Sequence, residues 1–574
     1  RALPRLVGVQ YPVSLQRTEG PAFGFLFLQV AMLTVSNISK SFGVESILDS
    51  VTFNLNPGQC AGLVGPNGCG KTTLLRIIVG LDLPDSGHVR FSPPDLRAGY
   101  LSQGLTPLPT DTIASFIARA EDDLPALTSE VERLAAAVAN APLHSDLHRQ
   151  YDFALNRLAA AENAGRAPAI LAALGLEHLP PDTPASALSG GQKTRLGLAS
   201  VVLSDPQLIL LDEPTNHLDF DMLEWLEDWL LQFKGGVLLV SHDRAFLDAT
   251  ADCILELDPA THTTREYVGN YTDYLEQKLT EQSKQWEQWR DQEVEIRRMR
   301  RDIARTKEQA RSVERSTTPR QPGVRRLAKK VARKALSREK KLDRYLDSEE
   351  RLEKPKSSWQ MNLDFGDTPA SSRDVVVLDD LSVGYGEAPL LAGLTARLRF
   401  GARAVLVGPN GCGKTTLLRT IAGIIPPLAG RARIGASVRT GYMAQEQEGL
   451  NPARNAFETI RALAPLSDTE ARTFLHLFLF GGDDVFTPIQ SLSYGERARL
   501  LLASLVAKGC NFLLLDEPIN HLDIPSRARF EQALSTFEGT ILTVVHDRYF
   551  IASFASEIWE IADGKLIITH AETG

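Results

Sequence analysis

Short apolar runs recur along this chain at matched places, each ending in a turn to glycine or to charge. Ala61-Gly62-Leu63-Val64 and Ala404-Val405-Leu406-Val407 have strand length, lead into glycine-rich stretches, and are followed by a helix-like Leu-Leu-Arg. Leu208 to Leu211 and Phe512 to Leu515 are two more such runs, each closed by an aspartate. Residues 119 to 166 differ: LTSEVERLAAAVANAPLHSDLHRQYDFALNRLAAAE carries two helical apolar patterns parted by Ala-Pro-Leu-His. From Lys278 to Lys356 the sequence is rich in helix formers and broken once, at Thr-Pro-Arg-Gln-Pro-Gly, which predicts two long helices folded back at residues 316 to 323. The apolar run AFGFLFLQVAML at 22 to 33 is about half the roughly 20 residues a spanning helix needs. No transmembrane segment is expected.

The two glycine-rich stretches are the same letters, LVGPNGCGKTTLLR, at 63 to 76 and 406 to 419. In the pattern G-x-x-x-x-G-K-[ST], Gly65, Gly68 and Gly70 let backbone N–H groups turn inward round a phosphate chain, Lys71 reaches the terminal phosphates and Thr72 offers a hydroxyl to Mg²⁺. Gly408, Gly411, Gly413, Lys414 and Thr415 repeat the set. Pro66, Asn67, Cys69 and Thr73, with Pro409, Asn410, Cys412 and Thr416, complete the two candidate ATP-binding loops. The alternative, a glycine-rich turn that binds nothing, does not account for the strand–loop–helix setting.

The repeat extends well beyond the loops. Lys71 is followed by Gln103 after 32 residues and Lys414 by Gln445 after 31, in GYLSQ and GYMAQ. LSGGQ (188 to 192) and LSYGE (492 to 496) precede LLDEPTNHLD (210 to 219) and LLDEPINHLD (514 to 523), then SHDR (241 to 244) and VHDR (545 to 548). Ser189 to Glu213 and Ser493 to Glu517 are both 24 residues, and Glu213 to His242 and Glu517 to His546 both 29. Phe42 and Tyr385 each stand 23 residues before the first loop glycine, which suits a ring stacking on adenine. Asp212 and Asp516 end apolar runs, where a carboxylate can hold a metal's water shell. Glu213 and Glu517 come next, placed to polarise an attacking water, and His242 and His546 can touch the terminal phosphate. Any one of these has a bland reading as a surface carboxylate or a capping histidine; their joint spacing argues against it.

This order of motifs resembles the ATP-binding cassette family, and two cassettes fused without membrane spans resemble its ABC-F branch of translation factors. The resemblance covers nearly everything after Met32. It implies an α/β fold: two P-loop nucleotide-binding domains in tandem, joined by a long α-helical hairpin. It further implies composite sites, with Lys71, Thr72, Gln103, Asp212, Glu213 and His242 facing Ser493 and Gly495, and Lys414, Thr415, Gln445, Asp516, Glu517 and His546 facing Ser189 and Gly191. Gly190, Gln192, Tyr494 and Glu496 complete the two signatures. ATP and Mg²⁺ are the implied ligands, the latter held by Thr72, Gln103, Asp212, Thr415, Gln445 and Asp516. The second half departs from the pattern at Tyr494, Glu496, Ile519 and Val545, so two hydrolytic sites of unequal rate are expected.

The expected division is an extension at 1–31, a first cassette at 32–277 with an insertion about 119–166, a linker at 278–356, a connector at 357–373 and a second cassette at 374–574. The extension, which starts at Arg1 with its first methionine at Met32, is expected to be a start-site artefact or disordered. Gln103 to Ser189 spans 86 residues against 48 for Gln445 to Ser493. The surplus is either an enlarged helical subdomain or, by the resemblance, an arm that contacts the ribosomal L1 stalk.

Charge singles out the linker. It holds 25 Lys and Arg against 14 Asp and Glu, inside a chain of net charge −9. A basic segment in an acidic protein points to a polyanion, although charge runs are often only solvated spacers. Arg311, Arg315, Arg320, Arg325, Arg326, Lys329 and Lys330 concentrate near the expected bend, and a helix from about 271 to 315 projects about 65 Å. By the resemblance this hairpin enters the ribosomal E site and touches rRNA and tRNA. Five cysteines without a C-x-x-C pair fit a reducing, cytoplasmic setting, and the chain is expected to be a monomer pairing its own cassettes. A transporter's ATPase subunit and a DNA-maintenance ATPase remain as other classes; the first gives the basic linker no role. Whether the purpose is general translation or protection from antibiotics is left open by the bend sequence STTPRQPG.

Overall fold

The computed structural model describes residues 31–570 apart from 95, 105–106, 109, 120–123, 141–146, 149–150, 152–153, 156–157, 159–165, 217, 317–321, 347–353, 355–370, 387, 445–448, 479, 521 and 563. Residues 1–30 of the expected extension, Gln445 and Arg320 lie outside the described residues, as does most of the expected connector.

Two α/β units follow one another, each on a six-stranded sheet. In the first the order is Ala98–Leu101, Leu208–Asp212, Gly236–Val240, Cys60–Val64, Cys253–Leu257, Thr264–Val268. Every neighbour pair is parallel except the last. The second unit repeats the order with Thr440–Met443, Phe512–Asp516, Thr540–Val544, Arg403–Val407, Glu557–Ala562 and Lys565–His570. Inner parallel strands are covered on both faces, which is why they read as unbroken apolar runs. Successive residues serve opposite cores: Leu208 and Leu210 pack with Leu63 and Leu74, while Ile209 and Leu211 pack with Leu196 and Phe246. Phe512 and Leu514 separate from Leu513 and Leu515 in the same way.

A three-stranded antiparallel sheet covers one face of each unit, with Leu33–Phe42 between Glu45–Leu55 and Ser86–Phe91, and Asp374–Tyr385 between Ala388–Arg399 and Ala429–Ile434. Burial alternates along Glu45–Leu55 because only one side meets the core.

The helix Tyr271–Ser316 leaves the first unit directly from the strand Thr264–Val268 and runs 46 residues. Its root is held by Thr272, whose N–H and hydroxyl both donate to Asp248 at 2.7 Å, and by buried Tyr271 and Tyr274. The return helix is Pro322–Leu346, with proline at the first position, where a missing N–H costs nothing. Ile296, Met299 and Ile303, at spacings of three and four, pack on Leu342, Tyr345 and Leu346. Gln292 donates to the Tyr345 hydroxyl at 3.0 Å and Lys307 pairs with Glu339 at 2.7 Å, so the hairpin is a short antiparallel coiled coil. In the first unit's insertion the described residues form a helix, Leu124–Asn140, whose Val131 and Leu134 pack on Tyr151, Ala154 and Leu158. No described helix is long and apolar enough to cross a membrane.

Candidate functional site

Each glycine-rich loop joins the end of a central strand to a helix start, Cys60–Val64 to Lys71–Ile78 and Arg403–Val407 to Lys414–Ile421. Gly70 and Gly413 precede those helices at φ 105° and 104°, a left-handed conformation that a side chain resists. A Cβ at Gly65 would lie 2.8 Å from the Leu257 carbonyl oxygen, so glycine alone lets the loop lie against that strand. The Lys71 ammonium is buried and donates to the Gly65 and Pro66 carbonyls at 2.8 and 3.0 Å; Lys414 donates to Gly408 and Pro409 at 2.7 and 2.9 Å. Both ammoniums therefore sit inside their own loops, beside helix N-termini that favour an anion. Phe42 and Tyr385 stand at the ends of their strands, 57% and 58% exposed, as a ring awaiting a flat partner must.

Asp212 and Asp516 are the last residues of their strands, buried to 1% exposure. Thr415 donates its hydroxyl to Asp516 at 3.2 Å, and at the matching place Thr72, Lys71 and the Gln103 N–H favour the ionised form of Asp212. Burial raises both aspartates above the usual carboxylate range. Asp212 Oδ2 is a buried acceptor with no hydrogen-bond partner, a cost of about 1–3 kcal/mol that a cation would remove. Among the described residues no three His, Cys, Asp or Glu gather to hold a metal by themselves. The hydroxyl–carboxylate pair fits Mg²⁺ shared with a phosphate substrate, the usual habit of that ion.

Glu213 and Glu517 follow, in left-handed backbone at φ 53° and 51°. The other described non-glycine residues with positive φ are one serine and Asn, Asp and His residues, the last three types tolerating that region better. Neighbouring strands hold the strained turns, with the Glu213 N–H donating to Val240 at 2.9 Å and the Glu517 N–H to Val544 at 3.1 Å. Burial pushes both glutamates up to about 7, where a carboxylate is poised to exchange a proton near neutral pH. Around them the two sites differ. His242 Nε2 lies 3.1 Å from Asn67 Oδ1 and 3.2 Å from Glu213 Oε1. His546 Nε2 is 3.8 Å from Glu517 Oε1, its ring nitrogens have no hydrogen-bond partner, and burial lowers it to about 4. Instead Asn520 donates to Glu517 at 2.7 Å, and Phe220 of the first unit stands against the His546 ring, centroids 5.7 Å apart.

Both signatures are helix caps. The Ser189 hydroxyl accepts from the Gln192 N–H at 3.3 Å while Gln192 Oε1 accepts from the Ser189 N–H at 2.9 Å; Ser493 and Glu496 form the same box. Glu496 thus keeps the capping function of the residue it replaces. The other departures are paired as well. Thr215 and Ser241 are hydrogen-bonded hydroxyls 3.1 Å apart, and Ile519 and Val545 at the matching places are both buried in an apolar core. One buried polar pair has been exchanged for one apolar pair.

The units meet head to tail. Asp523 accepts the Asn67 N–H at 2.9 Å, and Asp219 accepts the Asn410 N–H at 3.1 Å. Arg244 pairs with Glu531 at 3.2 Å and Arg548 with Glu227 at 3.1 Å, the same exchange seen twice. Gly495 packs beside Leu522 and Ser526, which flank Asp523, so the second signature lies next to the loop that touches the first phosphate loop. Sequence reasoning passed over Asp219 and Asp523 as site residues, although each is the last letter of a repeated motif. Of the candidate RNA-binding residues, Arg311, Lys329 and Lys330 are exposed on the hairpin, and Arg315, Arg325 and Arg326 belong to its helices.

The ABC transporter family model matches residues 48–216 and 391–520, and a second model described as ABC transporter matches 257–365. The chain is 37% identical over 542 residues to YdiF of Bacillus subtilis, an ATP-binding protein by name, covering 93% of this chain and 80% of that one. It is 33% identical to ABC transporter F family member 2 of Arabidopsis thaliana, covering 93% and 77%. It is 34% identical to the energy-dependent translational throttle protein EttA of Mycobacterium tuberculosis, covering 92% and 91%. Among solved structures, an RNase-L inhibitor shares the fold at 18% identity, with a TM-score of 0.59 over 94% of this chain and 91% of the other. Two phosphate-loop units exchanging contacts within one polypeptide, together with these likenesses, mean that the chain belongs to the ABC-F branch of the ATP-binding cassette family and is an ATPase.

Proposed function

We propose that the chain turns over ATP at two composite sites and uses that cycle to bind and leave the ribosome, in the cytoplasm. The observation that carries the reading is the basic coiled-coil hairpin rooted in the first of two paired cassettes, with Arg311, Lys329 and Lys330 exposed. The relative named for translational throttling, similar over nearly its whole length, supports the same direction.

In this reading Lys71 and Lys414 neutralise the phosphate chain of ATP, Phe42 and Tyr385 stack on adenine, and the capped helices behind Ser189 and Ser493 close each site from the other cassette. Mg²⁺ bound with the nucleotide would screen phosphate charge, held by Thr72, Asp212 and Gln103 in the first site and by Thr415, Asp516 and Gln445 in the second. Glu213 and Glu517 orient the attacking water and take its proton; His242, held between Asn67 and Glu213, lines up the terminal phosphate. The hairpin enters the E site and meets rRNA and tRNA, and the helical insertion reaches toward the L1 stalk.

The test is co-sedimentation with ribosomes. With ATP, the double variant E213Q/E517Q should pellet with ribosomes and stay there, while the unaltered chain is released as ATP is consumed. Equal release of both, with hydrolysis undiminished in the variant, would overturn the assignment of these glutamates. Absence of the chain from the pellet in every nucleotide state would overturn the ribosomal reading.

A further inference from the structure

We propose that the buried Arg527–Asp547 ion pair is a positioning link that ties the loop reaching into the first ATP site to the histidine loop of the second, and that the first cassette lacks its counterpart. The inference rests on the site reading given above and adds a route between the two sites.

Arg527 lies one turn into the helix Ile524–Thr536, and its N–H donates to the carbonyl of Asp523, whose carboxylate holds Asn67 in the first phosphate loop. Its guanidinium donates to Asp547 at 2.5 Å, with both side chains under 10% exposed. Asp547 follows His546 and caps the helix Arg548–Phe554 through the Phe550 N–H at 2.8 Å. A shift of the second histidine loop therefore pulls on the helix that carries Asp523. Three residues before Arg527 and four after it, the Ile524 carbonyl and Glu531 hold Arg244 of the first cassette, so Arg527 sits on the face of its helix turned toward that cassette.

The repeat makes the asymmetry visible. Asp219 stands where Asp523 does, and four residues on, in place of Arg527, is Leu223, buried in the apolar core. Asp243, the counterpart of Asp547, receives no arginine from the helix Phe220–Gln232, which has none. Burial and the neighbouring Asp547 push Asp243 up to about 6, and Arg527 is one of the charges that draw it back. The Arg527 charge also reaches Glu213 across the interface. One arginine thus lies among aspartates of both cassettes, and this buried link belongs to the second cassette's helix and has no equivalent on the helix Phe220–Gln232 of the first.

Removing Arg527 by itself leaves Asp547 buried and unpaired, so the informative variant is R527L/D547N, in which asparagine keeps the helix cap and leucine copies the first cassette. Steady-state ATP hydrolysis by the full chain is measured across ATP concentrations, with circular dichroism confirming folding. The unaltered chain is expected to hydrolyse ATP cooperatively, and the folded variant with a Hill coefficient falling toward one and a several-fold lower kcat at similar KM. R527K should restore cooperativity at least in part, which a purely structural role would not require. An unaltered chain without cooperativity, or a folded variant with cooperativity and kcat unchanged, overturns the link. Persistent turnover in E213Q/E517Q would instead overturn the site reading, independently of Arg527.

Discussion

Glu213 combines a left-handed backbone with a buried carboxylate, and Glu517 the same backbone with a half-buried one, two costs that a structural residue avoids. A carboxylate raised in the folded state is held protonated there, so its contribution is present below the unfolded pKa and lost as pH rises through the folded value. For Glu213 that window runs from about 4.5 to about 7. The nucleotide-free variant E213Q should therefore melt with the unaltered chain near the bottom of the window and above it at pH 8. The difference is at most about 3–4 kcal/mol, from ~1.4 kcal/mol per pKa unit. A melting difference independent of pH would mean that the carboxylate is ionised throughout. The hydroxyl pair Thr215 and Ser241 makes a second residue-scale prediction. T215I alone should cost about 1 kcal/mol by removing one of the two hydrogen bonds of the Ser241 hydroxyl, which still accepts the Asp243 N–H at 3.0 Å, and T215I/S241V should recover only part of it, because the apolar pair is near neutral but leaves that N–H without its acceptor. The second cassette already carries that pair.

At the scale of elements, the hairpin is stabilised by a narrow seam, Ile296, Ile303 and Leu342, which lies away from the basic residues near the bend. That division separates folding from binding. Replacing Arg311, Arg315, Arg325 and Arg326 by alanine touches none of the seam, so the hairpin should remain helical while ribosome affinity falls. Its salt dependence should also flatten, since each neutralised phosphate contributes a slope of about −0.7 to −0.9. Basal hydrolysis without ribosomes should be unchanged, because none of the four belongs to a nucleotide motif. Filter binding across a salt series decides it: an unchanged slope would mean that the hairpin is a solvated spacer.

At the scale of the molecule, two repeats meet in opposite directions and exchange equivalent charges, Arg244 with Glu531 and Arg548 with Glu227. In the proposed cycle closure of both ATP sites is one event, since each phosphate loop already makes a contact with the other cassette, Asn67 with Asp523 and Asn410 with Asp219. R548E should set a third acidic group beside Glu224 and Glu227 and lower hydrolysis at least tenfold, and R548E/E227R should restore a substantial part of it. Small-angle scattering in ATP would follow the same order, expanded for the single variant and compact for the double. Loss of activity in both, with no rescue, would mean that these charges act separately.

Much of this was legible in the chain because a repeat supplies its own comparison. Fixed spacings of 24 and 29 residues between matched motifs identify the family, and unbroken apolar runs reveal strands covered on both sides. The break at Thr-Pro-Arg-Gln-Pro-Gly marks the hairpin. Local chemistry suffices there, since a phosphate loop or a helix stop is written in consecutive residues. The sequence could not show that Glu496 still caps its helix, or that Ile519 and Val545 replace a hydrogen-bonded pair, because those partners are 26 residues apart and meet only when strands align. Nor could it show why Arg527 differs from Leu223, since Arg527 acts on residues of both cassettes. Motif identity is a property of short stretches of chain; the inequality of the two sites is decided by which buried groups tertiary packing brings within hydrogen-bonding range.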